Sequence, residues 1–307
     1  MSALLDTIQT IVETDKLEMG ISAHHIESGE TVHHNGEALF PMASVLKIPV
    51  LVTAFRQLEQ GRFRLEDRWD LQDHHKAPGS GILPYFEPSV SPTVYDLLTL
   101  MIIISDNTAT DMILDRLGGP LVVEQTMHDL GLTDIHLKLT NKELVADCLP
   151  ESDPEAEVPE REQAFYKVGY IRNGVAFRRS PENNVSSAKA MTNLVRMIFA
   201  GEVTNEESTA HMLTILSKQQ FKMRLPRFLP PGTRCDHKTG TLAGVRNDSG
   251  LIHIDDNNHV ALTLYTIWDD EESWGNPIAT HERIFAVETA MGRVGRLFYD
   301  YFATTST

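Results

Sequence analysis

The chain has 307 residues, 41% hydrophobic and 23% charged, a globular composition with enough apolar surface for a sizeable core, which excludes wholesale disorder. Lys and Arg number 27 against 43 Asp and Glu; the formal charge of −16 repels a phosphate backbone, so nucleic acid is not an expected partner. Two cysteines, Cys148 and Cys235, cannot form a disulfide framework, and one bond or two reduced thiols fit equally well.

The chain starts Met1-Ser2-Ala3-Leu4-Leu5-Asp6, with no basic segment ahead of an apolar run. No stretch approaches the ~20 apolar residues of a membrane span. The expectation is a cytoplasmic protein with no membrane partner. Leu4, Ile8, Ile11 and Val12 recur at helical spacing and predict an opening amphipathic helix. Residues 19–26 and 31–34 read as strands about Ser28-Gly29, expected as a two-residue hairpin turn. From Ser44 to about Gly201 the periodicity is mostly helical, clearest over 44–60, 94–104, 106–117 and 186–200. Within that region Glu151 to Glu162 holds six acidic residues and two prolines, which predicts a solvated surface loop. After Pro230-Pro231-Gly232, residues 249–254 and 259–268 look like strands turned at Asp256-Asn257-Asn258. Ile284, Val287, Met291, Val294, Leu297 and Tyr301 then share one face of a closing helix. The predicted fold class is α/β (α+β), a single unit over 1–307. Segments 1–43 and 225–307 form an antiparallel sheet flanked by helices, and 44–224 form a helical part. The terminal helices are expected on one sheet face and the helical part on the other.

Three short motifs could carry chemistry. In Ser44-Val45-Leu46-Lys47, a helix beginning at Ser44 puts the Lys47 amine on the same face as the hydroxyl, where a depressed pKa lets it accept a proton. Ser105-Asp106-Asn107, set between two helical segments, can project a hydroxyl and an amide into a cleft. Lys238-Thr239-Gly240-Thr241, at a strand edge, offers a cation and a hydroxyl to a carboxylate, with Gly240 allowing close backbone approach. Singly, each has a plainer reading: a cap with a surface lysine, a helix N-cap, and a strand with a glycine bulge.

Together and in this order, the three motifs resemble class A β-lactamases and penicillin-binding proteins. Phe40-Pro41-Met42-Ala43 ahead of Ser44, Gly79-Ser80-Gly81-Ile82-Leu83, Leu117-Gly118-Gly119-Pro120 and Asn184 to Met191 extend the likeness over roughly residues 20–300. The resemblance implies an acyl-enzyme on Ser44, with Lys47 as its proton acceptor and Ser105 passing a proton to the departing nitrogen. Asn107 is implied to bind the substrate amide and orient Lys47. Lys238, Thr239, Gly240 and Thr241 are implied to hold a small-molecule substrate by its carboxylate, with the Ser44 and Thr241 N–H groups as oxyanion hole. Arg246 is a further candidate for that carboxylate. No cofactor is implied, and the oligomeric state is not legible.

One element departs from the family. Class A β-lactamases carry a Glu-x-x-Leu-Asn loop whose glutamate activates the water that frees the acyl-enzyme. The matching stretch here is Thr140 to Val145: Leu144 fits, but Asn141 stands at the glutamate position and Val145 at the asparagine. Glu143 is the nearby candidate base, with Lys47 itself or a group in 151–182 as alternatives. Acylation is therefore the better-supported half, and slow β-lactam turnover is expected. The resulting expectation is a serine hydrolase of amides, lactams or esters. The alternatives are a peptidoglycan transpeptidase or carboxypeptidase, or a penicillin sensor that stays acylated. The pairs His24-His25, His33-His34 and His74-His75 suggest metal ligands, but neighbours in a strand point to opposite faces. His24 is expected to face His33 across the hairpin with no third ligand, so no metal is expected.

Overall fold

The computed structural model describes residues 2–148, 174–268 and 276–305. Helix α1 (Ser2–Thr14) buries Leu4, Ile8 and Val12, the stripe read from the sequence. Strands β1 (Glu18–His25) and β2 (Thr31–His34) follow. They pair as a hairpin, but His25 N donates to Glu30 O at 2.8 Å, so the connection is four residues, 26–29, rather than two. The register changes with it: His24 lies opposite Thr31, and His33 lies opposite Ser22 instead of His24.

The main sheet is antiparallel and five-stranded, in the order β2-β1-β8-β7-β6, with β6 (Cys235–Leu242), β7 (Val245–Asp255) and β8 (Asn258–Ile267). Asp255 pairs with Asn258, so β7 and β8 are joined tightly at Asp256-Asn257. Both faces are covered. Val260, Leu262 and Leu264 of β8 pack with Leu4, Ile8, Val294 and Phe298, contributed by α1 and the long closing helix α9 (Pro277–Thr305). Ala261 and Tyr265 alternate to the other face and join the larger core. This two-sided burial follows from the period-2 alternation of a strand with apolar residues at both phases.

The larger core is built on α2 (Lys47–Glu59), in which residues 47–55 are all buried. A helix apolar on every side belongs in the middle of a domain. Around it lie α3 (Val94–Ile103), α4 (Asn107–Leu117), α5 (Pro120–Asp129), α6 (Asn141–Cys148), α7 (Ala188–Phe199) and α8 (Glu206–Ser217). The segment read as helical from residue 186 begins its helix at Ala188, because Ser187 is the N-cap, accepting from Ala190 N at 3.1 Å. A small second sheet, in the order β3-β5-β4, joins β3 (Leu39–Pro41), β4 (Ile135–His136) and β5 (Val185–Ser187). Its strands are too short for a periodicity signal. Cys148 and Cys235 are free thiols. The acidic stretch 151–162 lies outside the described residues.

Candidate active site

Ser44 sits in a 3₁₀ turn, Ala43–Leu46, that runs directly into α2. The chain enters it through Ala43 at φ +46°, a left-handed conformation that costs a residue with a Cβ and must be held from outside. The Asn247 amide does this from β7, donating to Pro41 O at 2.7 Å and Met42 O at 3.1 Å. Ser44 is half-buried, while Ala43, Val45 and Leu46 pack inward.

Lys47, the first residue of α2, is 0% exposed. Its Nζ donates to Ser105 O at 2.7 Å, Ser105 Oγ at 3.0 Å and Asn107 Oδ1 at 2.8 Å. Three acceptors match three ammonium donors. Burial nevertheless pushes the Lys47 pKa down to about 7, against the attraction of Asp106 and Asp111. The amine is therefore poised between acid and base near neutrality.

Ser105 is at φ +60°, a second strained residue, and Asp106 fixes it there. The buried Asp106 carboxylate caps α4 by accepting from Ala109 N at 2.9 Å, and takes Ile82 N at 2.7 Å and Leu83 N at 3.0 Å. One side chain thus ties the 79–83 loop to the Ser105 turn. Asn107 donates from Nδ2 to Pro78 O at 2.8 Å, which fixes the amide with its oxygen towards Lys47.

The third motif comes from the edge strand β6. Gly240 lies against the Ser44 turn so closely that a Cβ there would meet Met42 O at 2.5 Å and Val45 N at 3.1 Å. That contact brings Thr239 and Thr241 beside Ser44. Lys238 is 0% exposed, with Nζ donating to Thr239 O at 2.6 Å. Its pKa is held well below the ordinary lysine value by burial, then by the like charges of Lys47 and Arg224. The two motif lysines therefore lie close enough for their charges to oppose each other.

Arg224 belongs to this site and was not read from the sequence. It is buried, donating from Nη2 to Thr241 Oγ1 at 2.7 Å and from Nη1 to Gly240 O at 2.7 Å and Asn247 O at 2.9 Å. Glu288 of α9 pairs with it at 3.1 Å. Its partners are 16 or more positions away in the chain, so no local pattern announces it.

Two of the candidate residues have partners of their own in the structure. Arg246 Nη1 donates to Leu242 O at 2.8 Å and Val245 O at 2.9 Å, its Nε lies 3.7 Å from Glu288, and the guanidinium stacks over Trp268 at 5.6 Å, clamping the β6–β7 turn. Glu143 is exposed and works as a cap, Oε2 accepting from Thr140 N at 2.8 Å and Thr140 Oγ1 at 2.9 Å. The stretch is the helix α6 rather than an extended loop, so residues two apart point to roughly opposite sides. Asn141 points inward and is 2% exposed. It donates from N at 2.8 Å and from Nδ2 at 2.9 Å to Asp111 Oδ1, while Lys142 N donates to Oδ2 at 2.9 Å.

For a metal, the described residues offer one group away from the weighed histidine pairs: the ligand atoms of Glu124, His128 and His136 lie within 4.8 Å of one another. Its carboxylate already holds the Lys138 ammonium at 2.7 Å and Leu137 N at 2.9 Å, so a cation fills that seat.

The beta-lactamase enzyme family model matches residues 3–302. The beta-lactamase VEB-1 of Pseudomonas aeruginosa is 20% identical over 274 residues, 87% of this chain and 83% of its own length. A solved beta-lactamase from Sphaerobacter thermophilus superposes with a TM-score of 0.76 at 28% identity, over 99% of this chain and 98% of that one. A PBP-A variant, solved as an acyl-enzyme complex with penicillin G, gives 0.75 at 25% identity over 99% and 97%.

Proposed function

The chain belongs to the beta-lactamase enzyme family, and from that membership we propose a serine hydrolase that opens amide or lactam bonds through an ester on Ser44. The observation that carries the reading is the Lys47 amine, buried, depressed to about 7 and held by Ser105 and Asn107 at the base of the turn that presents Ser44. In its neutral form it takes the Ser44 proton as Oγ attacks the substrate carbonyl. The developing oxyanion is received by the N–H groups of Ser44 and Thr241. Collapse expels the nitrogen, which takes its proton from Ser105 Oγ, itself recharged by the Lys47 ammonium. Lys238 and Thr239 hold a substrate carboxylate at the β6 edge, with Arg224 keeping Thr241 in place from behind.

The relatives named as beta-lactamases, and the PBP-A variant bearing penicillin G, support a small molecule of β-lactam type as substrate. Among the described residues no helix is long and apolar enough to cross a membrane. Asn141 in the place of a glutamate favours one second reading, a sensor that acylates and persists. Intact-mass spectrometry over time with a chromogenic cephalosporin tests both. A transient adduct with product release, absent from Ser44→Ala, supports the hydrolase. A lasting stoichiometric adduct means the sensor, and an unchanged rate in Ser44→Ala refutes the site.

A further inference from the structure

Freeing an ester on Ser44 requires a group that takes a proton from water. Position 141 cannot, being an amide, and the Glu143 carboxylate is engaged at the start of α6 with Thr140. The structure holds a different carboxylate at this place. Asp111 lies one helical turn after Asn107 on α4, so the two share a face, and the Asn107 amide is bonded to Lys47. Three N–H groups from the start of α6 hold its carboxylate: Asn141 N and Nδ2 on Oδ1, and Lys142 N on Oδ2. A carboxylate has about four acceptor positions, so one remains for a water on Oδ2. The side chain is half-buried, and its field reaches Lys47.

We propose that Asp111 is the carboxylate that activates the hydrolytic water of the acyl-enzyme, with Asn141 and Lys142 fixing its orientation. The assignment rests on the acyl-enzyme reading above and deepens it. A water proton passes to Asp111 as the water oxygen bonds to the acyl carbonyl carbon. Collapse of the tetrahedral intermediate breaks the bond from that carbon to Ser44 Oγ. The proton returns from Asp111 to Oγ by way of Lys47, leaving a carboxylic acid product, a free hydroxyl and the carboxylate. Burial raises the Asp111 pKa above the ordinary aspartate value, against the three N–H bonds and Lys47, which makes it a stronger base than a free aspartate.

The test is a quenched intact-mass time course with a chromogenic cephalosporin, comparing wild type with Asp111→Asn, folding being checked by circular dichroism. The expected result is acylation at a near wild-type rate and an adduct lasting at least about thirtyfold longer, a conservative threshold against the 10²–10⁴ of general base catalysis. A shorter extension overturns the assignment, as does loss of acylation in the folded variant. Where Asp111→Asn does not fold, Asp111→Ser keeps a hydroxyl oxygen for the Asn141 and Lys142 N–H groups but supplies no base. Adduct decay at least about thirtyfold slower than wild type then supports the proposal, and decay closer to wild type overturns it. If wild type forms no adduct and releases no product, the acyl-enzyme reading has failed first, a result distinct from an adduct that Asp111→Asn releases at the wild-type rate.

Discussion

Lys47 is a cation placed where water cannot reach it, and the arrangement works because the charge is easily lost. Its pKa of about 7 places half the population neutral at neutral pH, so acylation by Ser44 is predicted to rise with pH through a midpoint near 7, read from single-turnover rates. A flat profile between pH 5.5 and 8.5 contradicts this. The same burial taxes stability with a definite sign. The unfolded lysine keeps its proton up to roughly 10.4, so between about 7 and that value the unfolded state binds more protons. Lys47's penalty is full below about 7 and shrinks as pH rises through that window. Lys238 has a different task, and Lys238→Ala is expected to lower kcat/KM for a carboxylate-bearing reporter by roughly tenfold to a hundredfold, the worth of a charged hydrogen bond. An uncharged ester of the same reporter is expected to lose much less. At this scale Ser44, Lys47, Ser105, Asn107 and Lys238 were legible because each sits in a short motif. Arg224, and the part proposed for Asp111, were not, since their partners come from other elements.

The elements converge through one contact, the edge strand β6 against the 3₁₀ turn of Ser44. Gly240 is the residue that permits it. Gly240→Ala drives a Cβ into Met42 O and Val45 N, both backbone, and something must shift. The expected outcome is about 1–3 kcal/mol of lost stability and a fall in kcat/KM of about a hundredfold or more, since small displacements of a reacting group are costly. Thermal unfolding and steady-state kinetics check it, and wild-type values in both would contradict the packing described. Elements with strong periodicity, such as α1 and α9, were readable from the sequence. The three-stranded sheet was not, because β3, β4 and β5 are short and hold register through tertiary contacts. Thr140 to Val145 was aligned as a loop, although Thr140 and Glu143 already spell the capping box that starts α6. That local signal decides where Glu143 points.

The whole molecule brings scattered residues together by burying both faces of one sheet. Apart from Glu288, which pairs with Arg224, the layer between α9 and the sheet is apolar packing, so damage to that packing should cost stability alone. Phe298→Ala, at a site 0% exposed, is expected to lose about 3–5 kcal/mol while kcat per folded molecule stays near wild type. A large kcat change without loss of melting temperature would show that this layer is wrongly assigned. With a formal charge of −16, the chain repels anions on average, yet Lys47, Lys238 and Arg224 cluster close enough to influence one another, balanced by Asp106, Asp111 and Glu288. Local field, not net charge, must capture the substrate. The convergence of these groups on one serine is the central claim. It is tested most directly by acid-quenching the protein with penicillin G, digesting it and locating the added mass by fragmentation. The account predicts the acyl group on Ser44. An acyl group on any other residue, with Ser44 unmodified, would contradict it.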